Sequence, residues 1–528
     1  MSSQPNPDPN VLIVGAGPAG LQLASDLQQA GVAYEVIEAL EAGATFQTLP
    51  RHRQLISINK VNTGGTAGEE RLRYDWNSLL SDGRATFPAY SDEYFPSADD
   101  YATYLADFAR EGALNIRTGV RVENISRSGG TYSLECSDGR ARSATKVVIA
   151  TGLNRRHVPD IRGVEHAEQY ATFDTDPRTF RDQRVLIIGK GNSAFETAES
   201  LIPYASTIHV CSPTPLRFAW QSHYLGHLRA VNNNFLDTYQ LKSQNAALDA
   251  HVERIERRED GLYVTLRYSH AAGHETTIRY DRVICCTGFR FNPSVFDDSA
   301  APETCHDDRF PSLTSSFESV NRPGLYFAGA LMHGLDYQKH TSGFIHGFRY
   351  NVRFLARLFT GHLKEEQRLA ARHDSASLAR AVVDRLNNAS AIFLQPGYFA
   401  DAAVADGDSW LYHQDVPLGY LRDHAAGRRW ISVTLEFGPH SGDPFNIQRE
   451  QTEAYAEITP FLHPVLRCHE GDEVVDTLHL IEDVENTFSG PLIEEPLEVF
   501  LRKHTAVRGP AVTSVELVPP TEVFAGPR

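Results

Sequence analysis

The sequence predicts an α/β protein with two Rossmann-like dinucleotide-binding domains and a C-terminal α+β extension. Two glycine-rich turns support this prediction. They begin at Gly15 and Gly189, and each lies between a short apolar, β-branched segment and a helical pattern. The length of 528 residues gives a third observation, because about 150 residues per domain corresponds to roughly three domains.

The composition is that of a large folded protein with an acidic surface. Hydrophobic residues make up 41% of the chain and charged residues 22%, which allows an extensive buried core. The 50 Lys and Arg residues against 67 Asp and Glu residues give a net charge of −17, which argues against a polyanion-binding surface. We therefore do not expect nucleic acid as a partner, although the acidic net charge is compatible with local basic pockets that bind phosphate.

Cysteine usage and the apolar segments indicate the compartment. The 6 cysteines show neither CxxC nor Cys/His metal spacing, so we expect no metal site and a reducing environment. The first residues lack a cationic start with an apolar region, and no run of about 18 apolar residues occurs. We expect a cytoplasmic protein with no membrane contact.

The first glycine-rich turn, residues 15–20 (GAGPAG), has the full context of a dinucleotide-binding motif. Residues 11–14 predict a strand buried on both faces, and a second strand over 34–37 ends at Glu38. The first glycine permits a tight turn, the second lets backbone approach a pyrophosphate, and the third lets helix pack on strand. Glu38 is suited to hold ribose hydroxyls.

The second turn, residues 189–194 (GKGNSA), repeats this pattern between strands predicted over 184–188 and 207–211. No carboxylate ends the later strand, where Ser212 and Arg217 stand instead. Since a carboxylate would repel a 2′-phosphate, its absence favours NADPH over NADH. A surface role for Arg217 stays open.

Further strand endings fit a chain that passes twice between two domains. The segments 147–152 and 283–288 both end in Thr-Gly, and 323–329 predicts one more strand and turn. A helical pattern runs from about 342 to 359, and its amino end could direct N–H groups at a flavin.

Together these motifs resemble the two-dinucleotide-binding flavoproteins, and within them the class B flavin monooxygenases. The resemblance implies FAD at the first turn and NADPH at the second. Residues 161–170 match in part a stretch that these monooxygenases carry before the second motif, although Ile161 replaces its phenylalanine. Disulfide reductases of the same architecture need a cysteine pair beside the flavin, which is missing here.

Several longer segments are similar to the family of the endoplasmic reticulum's FAD-dependent oxidoreductase-domain protein and its soluble bacterial relatives. These segments are 51–60, 75–78, 228–233, 236–243 and 343–350. The resemblance extends from about residue 10 to 360 and weakens towards 500.

The resemblance divides the chain into four parts: residues 1–160 (FAD-binding domain), 161–290 (NADPH-binding domain with a helical insertion at about 215–245), 291–362 (return to the FAD domain) and 363–528 (C-terminal extension). The candidate cofactor-binding residues are Gly15, Gly17, Pro18, Ala19, Gly20, Glu38, Arg51, Val122, Thr151, Gly152, Gly189, Gly191, Asn192, Ser193, Ala194, Ser212, Arg217, Thr287, Gly288, Gly329, Gly343 and Phe344.

The implied activity is an FAD- and NADPH-dependent monooxygenase. Reduced flavin would react with dioxygen to form a C4a-hydroperoxyflavin, which would oxygenate a small nucleophile. The favoured nucleophile is an amine nitrogen in natural-product metabolism. Flavin monooxygenases place an asparagine near the flavin, and Asn59 matches best in position, with Asn62 as competitor and turn capping as the alternative. A small-molecule substrate is the expected partner, and a homodimer stays open.

Two other functions stay open. Single-component flavin halogenases share the two-motif architecture and require a lysine, for which Lys242, with Glu196 on the helix after the second turn, is the candidate. A flavin-bound adaptor without catalysis is the third hypothesis. In the insertion, His223 and His227 have the i, i+4 spacing of metal ligands on a helix but lack a third ligand.

The C-terminal extension carries no catalytic motif. We expect a helix over 365–388, a strand over 430–436, loops over 401–408 and 438–444, a turn over 460–464 and a loose tail after about 506.

Overall fold

The computed structural model describes residues 10–64, 68–81, 83–361, 372–407, 409–425, 428–439, 449–450 and 452–505. The α-helices of this part of the chain are α1 (Pro18–Gln29), α2 (Thr45–Thr48), α3 (Gly68–Leu72), α4 (Ala98–Glu111), α5 (Asn192–Leu201), α6 (Ala219–Ser222), α7 (Asn234–Gln240), α8 (Ile345–Thr360), α9 (Ser375–Asn388), α10 (Ala391–Leu394), α11 (Leu418–His424), α12 (Glu453–Ala456) and α13 (Pro491–Thr505). The tail predicted after residue 506 lies outside the described residues.

The strands in chain order are β1 (Val11–Val14), β2 (Tyr34–Ile37), β3 (Ile116–Arg117), β4 (Val122–Ser128), β5 (Thr131–Cys136), β6 (Ala141–Ala144), β7 (Lys146–Ile149), β8 (Arg155–Arg156), β9 (Glu168–Gln169), β10 (Arg184–Ile188), β11 (Thr207–Ser212), β12 (Ala246–Arg258), β13 (Gly261–Tyr268), β14 (Glu275–Tyr280), β15 (Arg282–Cys285), β16 (Phe289–Arg290), β17 (Thr304–Cys305), β18 (Phe310–Pro311), β19 (Leu325–Phe327), β20 (Arg372–His373), β21 (Phe399–Asp406), β22 (Ser409–Pro417), β23 (Arg429–Phe437), β24 (Leu462–Glu470) and β25 (Glu473–His479).

The first nucleotide-binding unit is built on a five-stranded parallel sheet of order β19-β7-β1-β2-β3. Helices α1 and α8 pack against each other on one face, and the antiparallel β4-β5-β6 sheet covers the other. In β1, Val11 and Ile13 join the helical core while Leu12 and Val14 join the core under β4-β5-β6. Burial on both faces explains the uninterrupted apolar run of β1.

The second unit is a seven-stranded sheet of order β14-β13-β12-β11-β10-β15-β9. Its centre is parallel, since β10 pairs with both β11 and β15, while β12, β13 and β14 form an antiparallel meander. The chain passes between the two units through β8 and β16, which pair with each other. This agrees with the two passages indicated by the Thr-Gly strand endings.

The insertion is less helical than the sequence indicates. Between 215 and 245 the structure has only α6, α7 and a 3₁₀ turn at Ala230–Asn232. His223 terminates α6 with φ of 54°, so His223 and His227 do not lie on one helix face as their spacing suggested. Within the described residues no group of three or more His, Cys, Asp or Glu side chains could hold a metal ion.

The C-terminal extension is a six-stranded sheet of order β20-β22-β21-β23-β24-β25, covered by α9 and α13, which pack together. The predicted strand at 430–436 is confirmed as β23. The helix predicted over 365–388 is confirmed by α9 from Ser375 onwards, but it is wrong at Arg372 and His373, which form strand β20. Residues 365–371 lie outside the described residues. The predicted loop at 401–408 is wrong, because β21 occupies 399–406 with Ala402 and Ala403 buried.

The turn predicted at 460–464 is also partly wrong, since β24 begins at Leu462. Most of the predicted loop at 438–444 lies outside the described residues. Among the helices that the structure describes, none is both long enough and apolar enough to cross a membrane.

Candidate functional site: two nucleotide cavities that share a wall

The glycines of the first turn have three different surroundings. Gly15 has a φ of +105°, and a Cβ there would lie 2.9 Å from the Ala150 carbonyl oxygen. A Cβ on Gly20 would lie 2.0 Å from the Gly15 carbonyl oxygen, so helix and strand approach too closely for a side chain. Gly17 faces open space, with no protein atom within 4 Å of its Cβ position. This geometry leaves room for a ligand phosphate beside Gly17 alone.

Helix α1 begins at this open position and presents free N–H groups to it. Gly17 is the N-cap, no side chain caps the helix, and its first turn contains no acidic residue. Such an end attracts anions. Glu38 is held at the end of β2 because its carboxylate accepts N–H bonds from Ala16 at 2.7 Å and Leu40 at 2.9 Å.

These groups border a cavity of about 650 Å³, here called the first cavity. The predicted cofactor residues that line it are Gly17, Pro18, Ala19, Glu38, Thr151, Gly152, Gly329, Gly343 and Phe344. Its other walls come from residues 44–49 and from Trp76, Arg229 and His346. These three residues lie in segments that carry the family resemblance, but they were not predicted as site residues. His346 stacks on Trp76 at 4.6 Å between ring centroids, and burial lowers its pKa to about 3, so the imidazole is neutral.

The second turn repeats the geometry of the first. A Cβ on Gly189, whose φ is +126°, would lie 2.2 Å from the Cys286 carbonyl oxygen, whereas Gly191 faces open space. Gly191 is the N-cap of α5, again without a side-chain cap or an acidic residue in the first turn. The Asn192 side chain instead holds the insertion, since it donates to the His227 carbonyl at 3.0 Å and accepts from the Arg229 N–H at 2.9 Å.

A second cavity of about 780 Å³ opens at this turn. The predicted residues that line it are Gly189, Gly191, Asn192, Ser193, Ser212, Arg217, Thr287, Gly288, Gly343 and Phe344. Tyr224, His227 and Leu228 of the insertion line it too, while Leu225 and Arg229 line the first cavity. The prediction that the insertion forms part of a pocket is confirmed.

The two cavities share a wall. Leu153, Ala330, Gly343 and Phe344 border both. Gly343 is required there, because a Cβ would lie 2.6 Å from the His333 ring. Ligands in the two cavities would therefore meet at the amino end of α8, which begins one residue after Phe344.

Eight predicted site residues lie outside the lining of both cavities, and three of them are the glycines or alanine behind the turns (Gly15, Gly20 and Ala194). Arg51 joins the two units by donating to the Phe173 carbonyl at 2.8 Å. Val122 lies in β4 and pairs with Cys136.

The three predicted catalytic residues also lie outside the lining. Asn59 is buried and donates its amide to the Ser91 carbonyl at 2.7 Å, and Lys242 is exposed after α7. Glu196 lies on α5, and burial, with Glu199 nearby, raises its pKa to about 7. Their catalytic roles stay predictions.

None of the six thiols has the lowered pKa that a reactive thiol in dithiol chemistry requires. Burial raises the pKa of all of them, to about 11 for Cys211, Cys285 and Cys468 and by varying amounts for Cys136, Cys286 and Cys305. No cysteine lines the first cavity. A thiol with a raised pKa is a poor nucleophile at neutral pH.

The fold and these cavities define a two-dinucleotide-binding flavoprotein of the class B monooxygenase type, with room for a dinucleotide at each glycine turn. The residues of the first cavity suit FAD: an open Gly17, an uncapped helix for the pyrophosphate and a fixed carboxylate for the ribose. The comparisons with known proteins agree. The family described as pyridine nucleotide-disulphide oxidoreductase matches residues 12–329.

Curated relatives define the family further. The FAD-dependent oxidoreductase domain-containing protein 2 of Danio rerio is 36% identical over 514 residues, covering 86% of this chain and 74% of that protein. The flavin-containing monooxygenase FMO GS-OX-like 9 of Arabidopsis thaliana is 23% identical over 355 residues, covering 60% of this chain and 70% of that protein.

Solved structures share the fold of the nucleotide-binding part. The bacillithiol disulfide reductase Bdr (YpdA) of Staphylococcus aureus has a TM-score of 0.52 at 18% identity, with 68% of this chain and 99% of that one covered. A flavin-containing monooxygenase of Stenotrophomonas maltophilia has a TM-score of 0.50 at 21% identity, with 67% and 98% covered.

The chain belongs to the pyridine nucleotide-disulphide oxidoreductase family and, within it, to the family of the FAD-dependent oxidoreductase domain-containing protein 2. It is a flavin-dependent oxidoreductase that uses FAD.

Proposed function

We propose that this enzyme is an FAD- and NADPH-dependent monooxygenase that inserts one atom of dioxygen into a small nucleophile, specifically the nitrogen of an amine in natural-product metabolism. One observation carries the proposal: the two nucleotide cavities share a wall at Leu153, Ala330, Gly343 and Phe344, and no cysteine lines the first cavity. Such an enzyme passes electrons from one nucleotide to the other and has no dithiol to receive them.

Residues of both cavities have clear parts in this function. The first turn and Glu38 would hold FAD, and the second turn with Ser212 and Arg217 would hold NADPH. Bound flavin supplies hydride acceptance and oxygen activation. The protein orients the two nucleotides and limits the entry of water, to which the apolar side chains of Leu153 and Phe344 at the shared wall contribute.

The choice of NADPH rests on the charges beside Ser212. The sheet register of the described residues places one carboxylate next to Ser212, that of Asp249 on the neighbouring strand β12. Asp249 is paired with Lys190 of the glycine turn and with His270 at 3.2 Å. Its charge is compensated, so it would not repel the 2′-phosphate, and Arg217 lies exposed at the same end of the cavity.

The choice of an amine rests on chemistry and on relatives. Oxygen activated on a flavin is electrophilic, and an unprotonated amine is a strong nucleophile among small metabolites. Relatives whose names denote flavin monooxygenases match the chain, among them the Arabidopsis protein. Nothing in the described structure favours halogenation, because the exposed Lys242 does not line either cavity.

Product analysis tests the proposal. The purified holoenzyme is incubated with NADPH, ¹⁸O-labelled dioxygen and panels of amines and indoles, with and without bromide, and products are examined by mass spectrometry. We expect an amine product heavier by one ¹⁸O atom, formed independently of bromide. A brominated product, or NADPH consumption that yields only hydrogen peroxide with every compound, would refute it.

A further inference from the structure

A hydrogen-bonded chain of three buried side chains lies where the two cavities meet. The Tyr224 hydroxyl and His333 Nε2 are 2.8 Å apart, and His333 Nδ1 and Asp336 Oδ1 are also 2.8 Å apart. Tyr224, His333 and Asp336 are each less than 7% exposed. Tyr224 and His333 both line the second cavity, next to Gly343 and Phe344 of the shared wall.

Asp336 has the contacts of an orienting carboxylate. It accepts the Ser342 N–H at 3.1 Å and the Ser342 hydroxyl in addition to His333 Nδ1. A carboxylate fixed at Nδ1 holds the imidazole in one orientation, so that Nε2 points to its other partner.

The chain joins two parts of the fold. Tyr224 belongs to the insertion of the NADPH unit, and His333 to the 3₁₀ segment Gly329–Leu335 of the returning FAD unit. The hydrogen bond therefore spans 109 positions of sequence. The rings of Tyr224 and His333 lie almost parallel, at 11°, with 5.7 Å between centroids. Such a contact forms only when the two units are docked.

We infer that Tyr224, His333 and Asp336 form a proton relay that supplies the proton consumed in each turnover. This rests on the proposed monooxygenase function, in which NADPH, dioxygen, substrate and one proton give NADP⁺, oxygenated substrate and water. The O–H bond of Tyr224 breaks as a new O–H bond forms on the oxygen atom that leaves as water. The Nε2 proton of His333 moves to the Tyr224 oxygen, the imidazole stays bonded to Asp336 through Nδ1, and solvent returns one proton to Nε2 before the next turnover.

Other polar groups face the relay from the neighbouring elements and contribute to its protonation; they are His227, Arg309, Tyr337, His340 and Tyr398. Among them Tyr337 provides a matched control. It lines the same cavity and contacts the His333 ring, but its hydroxyl accepts a bond from Arg309 at 2.9 Å.

The first test reads the relay without catalysis. In protein labelled with ¹⁵N-histidine, the His333 ring signals are assigned by their loss in His333→Gln and recorded by NMR at one fixed pH. We expect the Nδ1–H proton of the parent protein to resonate far downfield, because it is bonded to the buried Asp336 carboxylate, and to move upfield or disappear in Asp336→Asn. An unchanged signal would overturn the inference. If Asp336→Asn does not fold, Ser342→Ala, which frees Asp336 from one donor, should move the signal further downfield, and an unchanged signal there has the same meaning.

The second test compares Tyr224→Phe with Tyr337→Phe in the holoenzyme. General acids contribute about 10²–10⁴-fold, so we expect oxygen turnover in Tyr224→Phe to fall at least 100-fold and to follow a pH profile different from that of the parent protein. The pH profile of oxygen turnover in Tyr337→Phe should have the same shape as that of the parent protein, even if the absolute turnover rate differs. Oxygen turnover is divided by the rate of anaerobic reduction by NADPH measured for the same variant, so that any change in NADPH binding is removed from the comparison. Equal profiles in the two variants would overturn the relay.

The two proposals can fail separately. If no amine is oxygenated but the Asp336→Asn shift and the Tyr224 dependence of NADPH-driven oxygen consumption are both found, the relay stands and the monooxygenase assignment falls. If an amine is oxygenated with an unchanged pH profile in Tyr224→Phe, the monooxygenase assignment stands and the relay falls.

Discussion

Glu38 follows the end of β2, and Asp249 of β12 lies opposite Ser212 at the end of the corresponding strand β11, yet the surroundings of the two carboxylates differ. Glu38 accepts two main-chain N–H bonds and lines the first cavity. The charge of Asp249 is compensated by Lys190, and the His270 ring also contacts its carboxylate at 3.2 Å. The sequence predicted the role of Glu38 from its distance to the glycine turn, but Asp249 is 59 residues from Lys190 and had no local signal.

Arg217 should determine the preference for NADPH. A charge-assisted bond to phosphate contributes about 1.5–3 kcal/mol, and each 1.4 kcal/mol corresponds to about tenfold in affinity. We expect Arg217→Ala to raise the KM for NADPH about tenfold and to leave that for NADH within about twofold. Steady-state kinetics with both nucleotides measure this. Arg258→Ala, on the far meander of the same sheet, is the control, and equal losses with both nucleotides would contradict the prediction.

Substitutions at two glycines of the first turn should affect different properties, FAD binding at Gly17 and folding stability at Gly20. A methyl group at Gly17 meets no protein atom within 4 Å, whereas one at Gly20 would lie 2.0 Å from the Gly15 carbonyl oxygen. We expect Gly17→Ala to keep the Tm of the flavin-free protein but to lower FAD affinity about tenfold or more. Gly20→Ala should lose about 1–3 kcal/mol of stability or more, as overpacked sites do.

Flavin content by absorbance and Tm by calorimetry distinguish the two variants. Full flavin content in Gly17→Ala would show that the open space beside this glycine is not used by the cofactor.

At the scale of elements, the sequence predicted those helices and strands whose formation depends on residues close together in the chain. The β1-turn-α1-β2 and β10-turn-α5-β11 units, helix α8 and strand β23 were expected because apolar periodicity and glycine position encode them directly. Strand β21 was not expected, because the Ala and Asp of residues 401–408 are typical of a loop. Ala402 and Ala403 form a strand only because neighbouring strands and helices cover them, and Asp401 is held by Arg385 at 2.7 Å.

The insertion was predicted as helical, but its conformation depends on contacts from distant parts of the chain. Asn192 holds the main chain at His227 and Arg229, and His223 stacks on Phe437 of β23 with 4.0 Å between ring centroids. These contacts keep residues 224–229 against both cavities. Sequence reasoning could assign the region to a pocket from its composition but not its path.

The contact between His223 and Phe437 should restrain the insertion. Stacked aromatic pairs contribute about 0.5–1.5 kcal/mol, which corresponds to a several-fold change in local opening. We expect Phe437→Ala to increase amide hydrogen exchange over residues 219–228 by about twofold to tenfold, measured by mass spectrometry. Val475→Ala, at an exposed position of the same sheet, should leave this exchange unchanged. Unaltered exchange in Phe437→Ala would show that the C-terminal extension does not restrain the insertion.

At the scale of the whole molecule, the two nucleotide units dock through residues far apart in sequence. Arg51 donates to the Phe173 carbonyl, His52 bonds the Thr197 hydroxyl at 3.1 Å, and Tyr224 bonds His333. The sequence could predict each unit separately, because each carries its own motif. It could not predict which side chains meet between them, and so the Tyr224-His333-Asp336 chain was missed although its residue types are common in catalysis.

Buried histidines should make the whole fold sensitive to acid. Burial, with nearby arginines, lowers the pKa of His52, His209 and His469 to about 4 and that of His346 to about 3. The folded state therefore binds fewer protons than the unfolded state between the ordinary value of about 6.5 and these values. Stability is fully present above pH 6.5 and is lost as the pH falls towards 4. Glu196 acts in the opposite direction, since its raised pKa makes stability increase as the pH falls below about 7.

His209 isolates one of these contributions, because it lies away from both cavities and bonds the Tyr280 hydroxyl at 2.7 Å. A pKa lowered from about 6.5 to about 4 corresponds to about 2 kcal/mol of lost stability at pH 5. We expect the parent protein to unfold more readily at pH 5.0 than at pH 7.5, and His209→Gln to reduce the difference by about 2 kcal/mol, measured by urea unfolding at both pH values. His251→Gln, at an exposed position, should leave the difference unchanged. An equal difference in His209→Gln and the parent would mean that His209 takes up its proton without disturbing the fold.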